Sequence, residues 1–296
     1  MNKQICVGAG LVSLDILIRD GARFPIGYYV GGTCGNVMMI LAHMGWDAYP
    51  IVRLDGSKDT TRIKEDMDKH GVHLDYIIVD KDGKTPVIVQ RNYMTEDGIM
   101  IHKFESRNTK GRLFLDFKPL TIKQADVVLE QIDFVPKVFY FDKVAPAILR
   151  LASAFKERGS VIFFEPSSKG GSVKTFDQCV GVADIIKFSE QRINDYHPYD
   201  GLKDKLIIQT QGANGLNFRL NSEWIHLEPA VNDHVVDTSG AGDWTAAALI
   251  NELFKEGHGV ECLLKADLES VLNKAQVIGA KSCSYEGARG MMQKVL

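Results

Sequence analysis

The residues best suited to chemistry in this chain lie between 237 and 243, in the run Asp237-Thr238-Ser239-Gly240-Ala241-Gly242-Asp243. They stand directly before Trp244-Thr245-Ala246-Ala247-Ala248-Leu249-Ile250, where small and apolar residues predict a helix over 244–255. Glycines let a ligand approach the backbone, and a helix N-terminus offers unpaired N–H groups and a partial positive charge. Such a segment suits an anion, phosphate above all. Asp243 is out of place in an anion cradle, because its carboxylate competes for the same donors. It suits a different task, which is to face a substrate and take a proton from it. An ordinary N-cap explains the aspartate. It does not explain two glycines and the preceding Asp-Thr-Ser.

Two further segments have the makings of a binding surface. Gly31-Gly32-Thr33-Cys34-Gly35-Asn36 precedes an apolar helix over 37–44, and its asparagine both donates and accepts hydrogen bonds. Thr210-Gln211-Gly212-Ala213-Asn214-Gly215 follows an apolar strand. Other motif-like runs carry less. Gly8-Ala9-Gly10-Leu11-Val12-Ser13 lacks the third glycine of a dinucleotide fingerprint, and no acidic residue stands about 20 positions further on. Gly83-Lys84-Thr85 has Ile78 where a P-loop needs its first glycine. His70 and His73 flank Gly71 at a helix end, where histidine serves the dipole and the cap, and they are assigned no metal.

The elements that must hold these segments alternate. Strands are expected at 5–7, 138–141, 161–164, 185–186 and 206–209, with helices at 37–44, 61–70, 146–158 and 244–255. Strands alternating with helices imply βαβ units and a mostly parallel sheet. Between them the texture changes. Runs at 75–79, 86–93 and 99–104 are joined by Asp80-Lys81-Asp82-Gly83 and Thr95-Glu96-Asp97-Gly98, which predicts an antiparallel meander. The expected fold is one doubly wound α/β domain over 1–296 with a small β insertion.

Composition sets the outer bounds. The chain has 296 residues, 45% hydrophobic, with 35 Lys+Arg against 38 Asp+Glu and a formal charge of −3. That balance excludes binding driven by the charge of nucleic acid or of a membrane surface. Five scattered cysteines without a C-x-x-C pair argue against a disulfide framework and for a reducing compartment. Lys3 and the apolar stretch 5–14 imitate a signal peptide, but Asp15 and Arg19 interrupt it. The expectation is a buried first strand in a cytoplasmic protein.

The segments taken together resemble the ribokinase-like sugar kinases, the PfkB family. Its signature Asp-Thr-x-Gly-Ala-Gly-Asp is matched at every fixed position of 237–243, and its Gly-Gly-x-x-x-Asn segment at 31–36. The resemblance runs from about residue 5 to 292. It implies a ribokinase-like doubly wound, mostly parallel sheet flanked by helices, with a β-sheet lid formed by about 12–32 and 75–108. It implies Asp243 as base and Gly240, Ala241 and Gly242 as the anion hole for the transferring phosphoryl group. Asp15, Gly31, Gly32 and Asn36 would bind the sugar, and Arg91, Tyr93 and Lys103 are candidate lid contacts. Thr210, Gly212, Gly215 and Asn273 would serve the nucleotide. Gly287-Ala288, after a strand at Ala280-Lys281-Ser282, would close the nucleotide and monovalent-cation sites, with Asp237 as a candidate ligand for K⁺. ATP and Mg²⁺ are the implied cofactors, and the lid's strand edges offer a route to a homodimer.

Two stretches depart from the family pattern. Its Asn-x-x-Glu is replaced by Ser189-Glu190-Gln191-Arg192, and its Asp-Pro-Asn-x-Arg by Glu165-Pro166-Ser167-Ser168-Lys169, which keeps the acid and the base. Three readings stay open at this point. They are a kinase for a ketose such as fructose, a kinase for a nucleoside or other small alcohol, and a binding protein that keeps the fold without turnover.

Overall fold

The structure, a computed structural model, describes residues 3–19, 21–22, 24–94, 100–105, 117–170, 172–193, 202–221, 223–255, 261, 263 and 267–293. The expected turn at 95–98 and the end of the expected lid at 106–108 lie outside these residues.

Apolar runs too uniform for a half-exposed sheet dictate the centre of the molecule. Strands β1 (Ile5–Ala9), β8 (Val138–Phe141) and β9 (Val161–Phe164) are buried almost throughout. A strand apolar on both faces needs cover on both faces, and helices supply it. Among the described residues the main sheet has nine strands. From β1 it runs outward through β8, β9, β10 (Ile185–Ser189) and β11 (Leu206–Thr210), all parallel, to the antiparallel β12 (Leu216–Leu220) and β13 (Ile225–Leu227). On the other side of β1 it continues through β4 (Asp47–Leu54) to β5 (Ile77–Val79).

One face carries α1 (Thr33–His43), α6 (Ala241–Phe254) and the Leu268–Ser282 helix around buried Met38, Tyr140 and Trp244. The opposite face carries α3 (Ile122–Gln131), α4 (Pro146–Glu157) and α5 (Val173–Val182) over a stack of phenylalanines. Phe141 and Phe164 lie 4.5 Å apart between ring centroids, and Phe139 and Phe155 lie 4.9 Å apart. Burial of each such ring contributes on the order of 1.5–3 kcal/mol. Among the described residues no helix is long and apolar enough to cross a membrane.

A separate four-stranded sheet is ordered β3 (Gly27–Gly31), β2 (Ser13–Arg19), β6 (Val87–Met94), β7 (Met100–Glu105). The meander expected for 75–104 is only half realised. β6 and β7 are antiparallel, but β5 leaves for the edge of the main sheet, parallel to β4, and β6 pairs in parallel with β2. The cause lies in the turn at 80–83. The Asp80 N–H donates to the Leu54 carbonyl at 2.9 Å, and the Arg53 guanidinium reaches the Asp80 carboxylate at 2.8 Å. A Cβ at Gly83 would lie 2.4 Å from the Leu54 oxygen. The turn residues therefore anchor the chain to β4 instead of folding it back on itself. Likewise Ala280-Lys281-Ser282, expected as a strand, completes the last helix.

Candidate active site

Two helix N-termini meet at the site, and glycines start both. Helix α1 begins at Thr33, earlier than the apolar pattern suggests, so Asn36 lies in its first turn with its N–H donating to the Gly32 carbonyl at 2.8 Å. Helix α6 begins at Ala241, which puts Asp243 in its first turn as well. The preceding residues, Gly32 and Gly240, both have φ of 77°, in the left-handed region that favours glycine. Asp243 is therefore not the cap of its helix. Its carboxylate is free to leave the backbone, and Oδ2 accepts a 2.7 Å hydrogen bond from Asn36 Nδ2.

The anion segment has the expected shape with one change. The N–H of Trp244 is the first to donate to a helical carbonyl, that of Gly240, so the N–H groups of Gly242 and Asp243 have none within the helix. The Ala241 N–H is turned back to the Thr238 carbonyl at 3.3 Å. A Cβ at Gly240 would lie 2.6 Å from Ala288 Cβ, whereas one at Gly242 meets only Lys187 Nζ at 3.7 Å and Glu165 Oε1 at 3.9 Å. Gly242 is small for the sake of the open space above it. Gly242→Ala is expected to fold with unchanged thermal stability and to lower turnover at least tenfold by filling that space. Wild-type turnover in this variant would move the anion hole elsewhere.

Beneath Gly242 lies an ion pair that the motifs did not announce. Lys187, 2% exposed at the centre of β10, donates to Glu165, whose other oxygen accepts from the Tyr140 hydroxyl at 2.9 Å. A lysine within the apolar run Ile185-Ile186-Lys187-Phe188 was the sequence signal for it, since lysine is almost never fully buried without a partner. Burial pushes the Asp243 carboxyl up to about 7, and the charge of Glu165 adds to the rise. The Asn36 hydrogen bond, Lys187 and Arg192 oppose it. In the free protein Asp243 is therefore ionised above neutrality and protonated below it. As a base it predicts a kcat/KM that falls with one-proton slope below about pH 7. Glu165→Gln removes a charge that raises this pKa, so the acidic limb is expected to move to lower pH; an unmoved limb would disconnect it from Asp243.

Asp15 stands on β2 opposite Tyr29 of β3, with Oδ1 accepting from the Ser13 hydroxyl at 2.8 Å. Burial raises its pKa to about 6, against the opposing pull of the Ser13 hydrogen bond and Arg289. Gly31 makes room for it, because a Cβ there would lie 2.0 Å from Asp15 Cγ. Asp142, at the end of β8, is a site residue the sequence reading missed. Its Oδ1 accepts the Leu11 N–H at 2.8 Å, and a Cβ at Gly10 would lie 1.7 Å from that same oxygen. Of the run that imitates a dinucleotide loop, Gly10 thus lets this carboxylate in, while Gly8 makes room for Met38, whose Sδ lies 2.7 Å from where a Cβ would stand.

Several polar atoms around this centre are buried with no hydrogen-bond partner. They are Asn36 Oδ1, Asp142 Oδ2, Ser239 Oγ, and Nε and Nη1 of Arg289. Buried polar groups are nearly always satisfied, so this grouping marks where a ligand's polar atoms belong.

The remaining candidates divide. Thr210 pairs in register with Ser189, the Glu190 N–H donates to the Thr210 carbonyl at 3.0 Å, and a Cβ at Gly212 would lie 3.9 Å from Gln191 Nε2. Thr210 and Gly212 thus adjoin the 189–192 segment, while Gly215 admits the Leu227 carbonyl, 2.1 Å from where a Cβ would stand. Asn273 does not join them. It lines a groove with His43, Ala248 and Asn251, whose walls contain none of Thr210, Gly212 and Gly215. Asp237 is a clamp. Its Oδ1 accepts from Ser239 N–H at 2.8 Å, and its Oδ2 from Gln90 Nε2 at 3.1 Å and Gly287 N–H at 2.9 Å, which ties the small sheet and the last loop to the anion segment. Three N–H donors thus share the carboxylate that the resemblance offers to K⁺. Arg91, Tyr93 and Lys103 lie on β6 and β7, where the Arg91 guanidinium pairs with Glu105. Among the described residues no group of three or more His, Cys, Asp or Glu is placed to hold a metal.

Comparison with known proteins agrees in fold and in sequence. A model of the pfkB family of carbohydrate kinases matches residues 22–295. An ATP-dependent ribose-1-phosphate kinase of Halopiger xanaduensis is 24% identical over 279 residues, 88% of this chain and 82% of the relative. A fructokinase of Vibrio cholerae, solved with fructose, ADP and calcium, superposes with a TM-score of 0.73 at 18% identity, covering 98% of this chain and 96% of its own. A nucleoside kinase of Burkholderia thailandensis, solved with inosine, gives 0.66 at 15% identity, covering 96% and 92%.

Proposed function

The chain belongs to the pfkB family of carbohydrate kinases, a family of phosphotransferases, and from that premise we propose that it transfers the γ-phosphoryl group of ATP to a hydroxyl of a small sugar. The observation that carries this reading is the convergence of the two helix N-termini, with Asp243 held by Asn36 beside open backbone N–H groups. Asp15, Gly31, Gly32 and Asn36 hold the acceptor, and Asp142 Oδ2 takes one of its hydroxyl protons in a hydrogen bond. Asp243 accepts the proton of the reacting hydroxyl as its oxygen bonds to the γ-phosphorus and the bond to the β–γ bridging oxygen breaks. The open N–H groups of Gly242 and Asp243 face the charge that develops on the phosphoryl oxygens, the Ala241 N–H being turned back to Thr238. Thr210, Gly212 and Gly215 receive the nucleotide.

Magnesium needs only one or two protein carboxylates when it arrives with a nucleotide. Glu165 stands beside Gly242, but the Lys187 ammonium and the Tyr140 hydroxyl occupy its two oxygens, so the ion is not assigned to it. Once bound, the ion neutralises phosphate charge. The small sheet acts as a lid that excludes water, and the edge of β7, which pairs with no further strand among the described residues, is where a second copy of the chain would pair. For the acceptor, a ketose such as fructose is the first reading, in keeping with the Vibrio cholerae neighbour. Ribose 1-phosphate and nucleosides follow from the Halopiger xanaduensis relative and the Burkholderia thailandensis neighbour.

ADP release measured with ATP and Mg²⁺ against a panel of ketoses, pentoses, sugar phosphates and nucleosides tests the reading. Turnover with at least one sugar is expected. Tight binding of a panel member without any ADP release would make the chain a binding protein on a kinase fold.

A further inference from the structure

Arg289 is the charged side chain of this site that the phosphoryl-transfer scheme leaves without a task. It lies in the loop after the last helix, 7% exposed, with its guanidinium 5.6 Å from the centre of the Tyr29 ring. Nη2 donates to Asp66, which also accepts the Val30 N–H at 2.7 Å. Nε and Nη1 are buried and have no acceptor. Arg289 lines a cavity of about 30 Å³ whose walls also include Asp15, Tyr29, Gln90 and Glu286. A cavity of that size holds a water molecule or so, so an acceptor enters by separating the small sheet from this loop. The preceding residue, Ala288, packs on Gly240. Arg289 therefore begins where the anion segment ends, on the side of Asp15.

The chemistry of the orphaned atoms sorts them. Asn36 Oδ1 and Asp142 Oδ2 are acceptors, and so is Asp15, so these suit the O–H groups of a sugar. Arg289 is donor-only and calls for oxygens that carry no proton. Its fork matches phosphate and carboxylate oxygens, and leaving buried N–H groups without acceptors is costly. The other carboxylates of the cavity have donors of their own and give Arg289 no hydrogen bond, although the charge of Asp15 attracts it. Glu286 pairs with Arg19 at 2.5 Å and accepts from Asn92 at 2.9 Å, and Asp15 accepts from Ser13.

We propose that the acceptor already carries an anionic oxygen group, phosphoryl or carboxylate, and that Arg289 receives it. The proposal rests on the kinase reading above and adds the chemical class of the acceptor and the residue that selects it.

The test compares kcat/KM of the wild-type protein for ribose 1-phosphate against ribose, fructose 1-phosphate against fructose, and gluconate as the carboxylate. A site built around a buried charged donor is expected to favour a charged acceptor by at least about 100-fold. In Arg289→Gln that ratio should collapse to within about fivefold, mainly through KM, with Arg289→Lys in between. Preference for the phosphates or for gluconate identifies the group. Thermal stabilisation by ribose 1-phosphate without nucleotide, absent in Arg289→Gln, is the readout independent of turnover. If Arg289→Gln does not fold, the wild-type ratios and Arg289→Lys still decide. Neutral sugars turned over as well as charged ones would overturn this inference and leave the kinase reading standing. Arg289-dependent stabilisation with no turnover of any acceptor would do the reverse.

Discussion

Asp243→Asn is expected to lower the turnover of sugar phosphorylation by at least about 10²–10⁴-fold, the usual range for loss of a general base. The amide keeps the shape of the carboxylate and can still accept the hydrogen bond from Asn36 Nδ2, so the two helix N-termini stay together. The same substitution changes stability, and the sign follows from the pKa. The folded state raises this carboxyl from 3.8 to about 7, so the folded protein binds the proton more tightly than the unfolded chain. Any destabilisation from this group is absent below the unfolded value, develops between about pH 4 and 7, and is complete above that. Asp243→Asn is therefore expected to melt higher than wild type at pH 8 and to gain nothing at pH 4. Thermal unfolding at the two pH values, alongside ADP release, checks both halves. Near-normal turnover would remove Asp243 as the base. An equal change in stability at both pH values would mean that its charge is not buried as the structure has it.

Lys187→Met is expected to have the second largest effect, because it strips the partner from a buried carboxylate. Removing one member of such a pair typically costs about 3–5 kcal/mol, whereas removing both is often close to neutral. Glu165 would be left with the Tyr140 hydroxyl alone among the partners described here. Two cations oppose the rise of the Asp243 pKa, and Lys187 is the larger contributor, so its loss should also drive the acidic limb of kcat/KM to higher pH. Urea unfolding of Lys187→Met, Glu165→Gln and the double variant separates the effects. The double variant should recover most of the lost stability. A single variant as stable as wild type, with an unshifted pH profile, would show that the pair neither stabilises the sheet nor tunes the base.

These residues also show how much was legible beforehand. The glycines and the helix start within 237–243 could be read because their geometry is local. Glycines, a helix start and an acid within a few residues fix one another's geometry, and the same holds for Gly32 and Asn36. The alternating strands and helices were legible for a related reason, since apolar runs buried on both faces leave few other arrangements. Where the reading failed, the deciding partner was distant in sequence. The 80–83 turn was recognised as a turn, but its carbonyl and guanidinium partners at Leu54 and Arg53 sent β5 to another sheet. Asp237 read as a cation ligand, and its hold on Gln90 and Gly287, both distant in sequence, was not legible.

The sequence by itself determined the family, the parallel sheet and the segment that presents Asp243, because each rests on spacings of a few residues. Only the tertiary structure decided what surrounds that carboxylate. Asn36 reaches it across 207 positions of chain, and Lys187, Glu165 and Arg192 arrive from separate strands and loops. Their positions follow from how the sheet's strand ends and the last loop pack together. A pKa, an ion pair or an unsatisfied donor exists only once that packing has excluded water, and no local pattern records it.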